Sequence, residues 1–236
     1  MKVEKTCPHH ADGAGRHHQG CVSLVPIFNH LEPGQMNEIM QAVRGVTYKK
    51  GEMMYRAGDA SDSMYIVNKG QVKIYRLSES GKEQLVRILN PGDFTGELAL
   101  FKQSVHEAYA EAMVDSQICT INSFDLQQLL LKYPTISLKI LNEFSNRLES
   151  SERQTTRFAT EKVETRIALF LAELLDTEGN GKTVQLPMSK KDVASYLGTT
   201  PETLSRRLAE FEAEGYIEQT GQRNITILDL DSLLLV

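Results

Sequence analysis

Glu202, Ser205 and Arg206 are the side chains of this 236-residue chain whose types and spacing point most directly to chemistry. An arginine can pair bidentately with guanine O6 and N7, a glutamate can accept from cytosine N4, and a serine can meet thymine or a phosphate. Three and one positions apart, they share one face if the segment is helical. Thr200-Pro201-Glu202 supplies a helix start: a capping hydroxyl, a proline at the first helical position and an acid in the first turn. The surrounding stretch, Met188 to Tyr216, reads as two short helices joined by a tight turn at Leu197-Gly198-Thr199. Val193, Leu197, Leu204, Leu208 and Phe211 fall at helical spacings and would pack the pair together. A glycine turn between two such helices is the helix-turn-helix pattern, whose second helix enters the DNA major groove. Thr200, Lys190 and Lys191 complete the candidate DNA contacts. Taken singly, Glu202 also reads as a helix-start acid favoured by the helix dipole, and Arg206 as a phosphate clamp. As a triplet on one helix, base readout is the stronger reading.

A second set of reactive side chains lies at the other end. Residues 1–20, MKVEKTCPHHADGAGRHHQG, contain Cys7, His9, His10, His17 and His18, with Cys21 immediately after and Cys119 far downstream. Thiolate and imidazole are the usual ligands of zinc and copper, so Cys7, His9, His10, His17, His18 and Cys21 are the metal candidates. Their spacing matches no compact zinc motif. The segment has almost no large apolar groups, and a flexible polar tail with incidental histidines fits it as well.

The elements that must position these residues follow from the pattern. The chain is long enough for two domains. No apolar run approaches the ~20 residues that span a bilayer, and the N-terminus lacks the apolar stretch of a signal peptide. A cytoplasmic protein with no membrane partner is expected, in which three cysteines do not suggest a disulfide scaffold. The formal charge is −5. Residues 160–236 carry that whole balance, with 8 basic and 13 acidic groups, although Met188 to Arg207 is locally cationic. Phosphate contacts depend on local cations, so weak non-specific binding and reliance on a dimer and base readout are expected.

After an apolar entry and a short helix, GQMNEIMQAV, residues Thr47 to Cys119 switch to short glycine-punctuated strands. Alternation shows in Met64 and Ile66 and in Val72 and Ile74, with Leu77 following, and short strands with glycine turns predict an antiparallel barrel or jelly roll. Ser123 is read as the cap of a helix ending before Pro134. A longer helix follows to about Phe158, with Ser137, Leu141, Phe144 and Leu148 at coiled-coil steps, continued by Ser151, Thr155 and Phe158. Leu141, Phe144 and Leu148 are the candidate dimerisation residues. Packing of this helix on its own barrel is the competing reading. Lys162 to Leu175 forms another amphipathic helix, Thr177 to Lys182 a loop, and Gly215 to Ile227 a β-hairpin that makes the last domain a winged helix. The expected fold is α+β: residues 1–20 a Cys/His-rich segment, 21–133 a β-barrel sensory domain, 134–159 the dimerisation helix and 160–236 the winged helix-turn-helix. No nucleophile–base pair, metalloprotease helix or phosphate-cradling glycine loop supports an enzyme.

Asn90-Pro-Gly-Asp-Phe-Thr-Gly-Glu-Leu-Ala-Leu-Phe101, the Thr165-Arg166-Ile167-Ala168 helix and Glu202-Thr-Leu-Ser-Arg206 resemble, in combination, the CRP/FNR family of bacterial regulators. The resemblance covers residues ~22–228, and with it comes a cyclic-nucleotide-binding-like barrel. It implies a homodimeric transcription factor that contacts RNA polymerase and whose sensory barrel repositions two recognition helices. In cAMP-responsive members an Arg-Ser pair downstream of the barrel glutamate holds the cyclic phosphate. Here that segment reads Ser104-Val105-His106-Glu107-Ala108, without the arginine such a pocket relies on, which argues against cAMP and leaves Glu97 as a structural glutamate. Glu202, Ser205 and Arg206 match the FNR reading triplet, which implies palindromes of TTGAT half-sites.

The sensor fits less well. FNR holds an iron–sulfur cluster on four cysteines, three closely spaced near the N-terminus and one in the barrel. This chain has Cys119 at the barrel position and only Cys7 and Cys21 before it, so four cysteinyl ligands are not available. Cys21 and Cys119 with their flanking residues resemble the FNR-like protein (FLP) subgroup, whose corresponding pair is thought to form a reversible disulfide. Such a switch needs no cofactor. Closing a loop of about 98 residues can bias a structure by several kcal/mol in the chain-entropy model. The expectation is therefore redox or oxygen responsiveness through Cys21 and Cys119, with Cys7 as a further sensor candidate. A bound metal ion, haem on His106 or an N-terminal histidine, or a small ligand in the same architecture is the alternative. Cys119 also reads as a plain buried strand residue.

Overall fold

The computed structural model describes residues 25–101, 104–178 and 181–236. It divides into two compact units, residues 25–82 with 86–146, and residues 147–236 with Glu83–Leu85.

The first unit opens with helix α1 (Pro33–Ala42) and continues through strands β1 (Arg44–Tyr48), β2 (Met53–Tyr55), β3 (Ala60–Ser61), β4 (Ser63–Lys69), β5 (Val72–Leu77), β6 (Glu83–Leu89) and β7 (Phe94–Thr95). A 3-10 turn over Glu97–Leu100 precedes β8 (Ser104–Val105), β9 (Tyr109–Ala112) and β10 (Ser116–Asn122), then helices α2 (Ser123–Lys132) and α3 (Pro134–Thr160). Two antiparallel sheets form, with orders β1-β10-β4-β7 and β2-β9-β5-β6, and β3 pairs with β8. Non-consecutive neighbours and antiparallel pairing are those of a jelly roll.

The period of two sorts the apolar residues into two cores. On β10, Cys119 and Ile121 point to a cluster shared with Ile39 of α1, Leu126 of α2, and Ile136 and Ile140 of α3. Ile118 points the other way, between the sheets, with Val67, Val72, Ile74 and Leu89. The same strand thus serves both the helix-covered face and the interior. Leu77, three positions after Ile74 and so off that face of the strand, ends β5 at 43% exposure. The cap of α2 is Asn122, whose side chain accepts from the Asp125 backbone N–H, and Ser123 is the first helical residue. Gly96 sits at φ 82, where a Cβ would collide with the Ser63 carbonyl oxygen, so the turn into Glu97 requires glycine.

In the second unit α4 (Val163–Glu178) outlasts the helix expected to end at Leu175 and takes in part of the expected loop. It is followed by β11 (Thr183–Gln185), α5 (Lys190–Tyr196), α6 (Pro201–Ala213), β12 (Ile217–Thr220), β13 (Asn224–Ile227) and α7 (Leu230–Leu234). The wing hairpin β12–β13 is joined by β11 into a three-stranded sheet of order β11-β13-β12. Val193, Leu197, Leu204, Leu208 and Phe211 are all buried, as the helical spacing required. Among the described residues, no helix is long and apolar enough to cross a membrane.

Candidate nucleic-acid interface

Helix α6 is set by its ends. Thr200 caps it by accepting from the Thr203 N–H at 3.2 Å, Pro201 occupies the first turn, and Gly215 follows at φ 78. Thr200 therefore serves the helix start. The turn before it depends on Gly198 at φ 66, where an added Cβ would lie 3.3 Å from Cε1 of Phe158. A side chain there would meet both a left-handed backbone and the ring.

Burial divides α6 into two faces. Leu204, Leu208 and Phe211 are at most 3% exposed, whereas Glu202, Ser205 and Arg206 all lie exposed on the other side. The structure thus brings the predicted triplet onto one free face. The Glu202 carboxylate is held below its ordinary range, first by its own backbone N–H and then by the Thr200 hydroxyl. It stays ionised and acceptor-only, the state that suits an amino group on a base edge. Arg206 lies 3.9 Å from Glu210 with both side chains well exposed, a contact too loose and too wet to hold it. Arg207 differs. It pairs with Glu210 at 2.6 Å and with Glu164 at 3.6 Å, tying α6 to α4.

The two lysines part company as well. Lys190 Nζ donates to Gln219 Oε1 at 2.8 Å, and Gln219 donates to Glu212 from its backbone N–H and its Nε2. That chain fastens α5, α6 and the wing. Lys191 is exposed.

The sensor candidates fall differently. Cys119 is 2% exposed and disulfide-bonded. Cys7, Cys21, His9, His10, His17 and His18 lie outside the described residues, and with them the pairing and metal readings. Among the described residues, no group of three or more His, Cys, Asp or Glu side chains could hold a metal ion. A four-cysteine cluster does not fit a chain of three cysteines whose barrel cysteine is already disulfide-bonded.

The residues expected to bear on a cyclic phosphate are placed as follows. Glu107 points outward and pairs with Arg76 at 2.7 Å, while His106 turns inward, 7% exposed and stacked on Tyr55 at 3.6 Å. Burial pushes the His106 imidazole below its ordinary value. The arginine near Glu97 comes from β6 instead: Arg87 Nη2 lies 3.5 Å from Glu97 Oε1 and 3.4 Å from Thr95 Oγ1. Sequence reading missed Arg87, although its place between buried Leu85 and Leu89 in a period of two was a signal. The pair supports the structural role given to Glu97.

On α3, Leu141 and Leu148 are 56% and 61% exposed, while Phe144 is partly buried against its own barrel and meets Phe101 edge-on at 5.8 Å. The two readings of this helix therefore divide by residue: Ile136 and Ile140 pack inward, Leu141 and Leu148 do not.

Two family models match the chain: a cyclic nucleotide-binding domain over residues 45–133 and a Crp-like helix-turn-helix domain over residues 165–235. The chain is 34% identical over 217 residues to a probable transcriptional regulator flp of Lacticaseibacillus casei, covering 90% of this chain and 96% of that protein. It is 31% identical over 230 residues to an anaerobic regulatory protein of Haemophilus influenzae, covering 94% and 88%. The solved structure of FixK2 from Bradyrhizobium japonicum aligns with a TM-score of 0.70 at 26% identity, covering 81% of this chain and 95% of that one.

Proposed function

Because the chain belongs to the CRP/FNR family of transcriptional regulators, we propose that it acts in the cytoplasm as a homodimer reading FNR-like palindromes, and that thiol chemistry at Cys119 sets its activity. The observation that carries the DNA reading is the face of α6: Glu202, Ser205 and Arg206 exposed together over a buried Leu204, Leu208 and Phe211. Arg206 takes a guanine, Glu202 a cytosine amino group, and Ser205 a thymine or phosphate. Lys191 neutralises phosphate, and no cofactor takes part in the readout. Two copies meet along α3 through Leu141 and Leu148, with Phe144 beside them, because a helix-turn-helix reads two half-sites related by the protein's own two-fold axis. RNA polymerase is the partner whose access to the promoter this binding changes.

The redox reading rests on Cys119 being both disulfide-bonded and in one cluster with Ile136 and Ile140 of α3. We assign Cys21 as its partner, from the resemblance to the FNR-like protein subgroup. Oxidation joins the two sulfurs and passes two electrons and two protons to an oxidant such as oxygen or a small disulfide. A close-packed core has no slack, so making or breaking that bond re-seats the α3 residues packed beside it. Peptide mapping of the oxidised protein tests the pairing: a Cys21–Cys119 cross-linked peptide is expected, and a Cys7–Cys119 peptide instead would shift the assignment to Cys7. The DNA reading is tested by Arg206→Ala on TTGAT palindromes, where specific binding is lost if the assignment holds and persists if it does not.

A further inference from the structure

A cavity of about 280 Å³ lies in the second unit, where the C-terminal part of α3, α4 and the end of α5 meet. Its lining is unusual for an acidic domain. Arg153, Arg157 and Arg166 face it, together with the rings of Phe158, Phe170 and Tyr196. The one carboxylate in the lining, Glu173, pairs with Arg157 at 2.6 Å. Among the described residues Arg153 pairs with Glu149, at 3.1 Å with both side chains at least 60% exposed, a pairing that water and salt weaken. The Arg166 guanidinium stands 5.2 Å over the Phe158 ring, and its Nε is buried without a hydrogen-bond partner. A guanidinium stacked on an aromatic face still presents its remaining N–H groups in its own plane, where an anion can meet them.

We infer that this cavity binds a small planar anion, a single aromatic ring carrying one carboxylate. Guanidinium forks match a carboxylate bidentately, and Arg166 and Arg153 supply them; aromatic faces and a stacked guanidinium suit a flat ring. Size limits the class, because pockets for drug-sized ligands run from ~300 to 1,000 Å³, and this one is at the small end. The occupant touches three helices at once, including the first helix of the helix-turn-helix. Binding therefore stiffens the joint that carries α6. Any effect on DNA affinity rests on the DNA reading, but occupancy itself does not.

Benzoate is the probe, titrated calorimetrically into the full-length protein without DNA, with acetate as charge without ring and benzyl alcohol as ring without charge. Saturable benzoate binding is expected, at least about tenfold tighter than either control, and Arg166→Gln should weaken it about tenfold. Arg153→Gln, on the exposed side, should weaken it in the same direction and serves if Arg166→Gln fails to fold by circular dichroism. Absence of benzoate binding, equal binding of benzyl alcohol, or benzoate binding untouched in a folded arginine variant would overturn the inference.

Discussion

Gly198 shows how much rests on single residues. It holds φ 66 in the turn between α5 and α6, with Phe158 of α3 packed where a Cβ would go. Gly198→Ala should destabilise the second unit by about 1–2 kcal/mol from the left-handed backbone alone, read as a lower urea midpoint. An unchanged midpoint would mean that the turn adapts. His106 makes a pH prediction. Its folded-state pKa lies below the ordinary 6.5 because of burial, while Asp59, Asp62 and Glu97 pull the other way. Above 6.5 both folded and unfolded forms hold it neutral, so its contribution is full there; as pH falls below 6.5 the unfolded chain takes up the proton first and stability declines. His106→Phe, which keeps a ring on Tyr55, should flatten that decline in urea unfolding measured from neutral to mildly acidic pH. An identical decline in the variant would assign it to other groups.

Neighbouring positions on α3 have opposite expected fates. Ile140 is 1% exposed in the cluster with Cys119, so Ile140→Ala should cost about 2–5 kcal/mol of stability in the first unit. Leu141 is 56% exposed, so Leu141→Glu should leave helicity nearly unchanged while sedimentation shows a monomer. A dimeric Leu141→Glu would remove that residue from the interface. Elements with strong periodicity were legible in the sequence: the helix-turn-helix from Thr200-Pro201 and its apolar spacing, and β4 and β5 from alternation. Short ones were not. β11 has three residues and one buried side chain, Val184, and a single inward position carries no period. The cap of α2 was misplaced by one residue because Asn122 and Ser123 are both good caps and only the hydrogen bond to the Asp125 N–H separates them. In the candidate site the helical spacing placed Glu202, Ser205 and Arg206 together, and all three are exposed on α6. It did not separate Lys190 from Lys191, because the Gln219 that engages Lys190 lies 29 positions away on the wing.

At the scale of the whole molecule, the exposed face of α6 and the buried Cys119 belong to different compact units, and α3 runs through both. On the proposed reading, α3 is the element that would connect signal to readout. Cys119→Ser should abolish any difference in DNA affinity between reduced and oxidised protein, measured by fluorescence anisotropy with thiols counted in parallel; a difference that survives the substitution would place the sensor elsewhere. The most direct measurement of all is a set of anisotropy titrations at fixed salt, comparing a TTGAT palindrome with the same duplex altered at the guanine of each half-site. Wild-type protein should lose about 1–3 kcal/mol of affinity per altered half-site, and Arg206→Ala should bind both duplexes alike. Equal binding of both duplexes by the wild type, or full discrimination retained by Arg206→Ala, would contradict the assignment of α6 as the element that reads DNA.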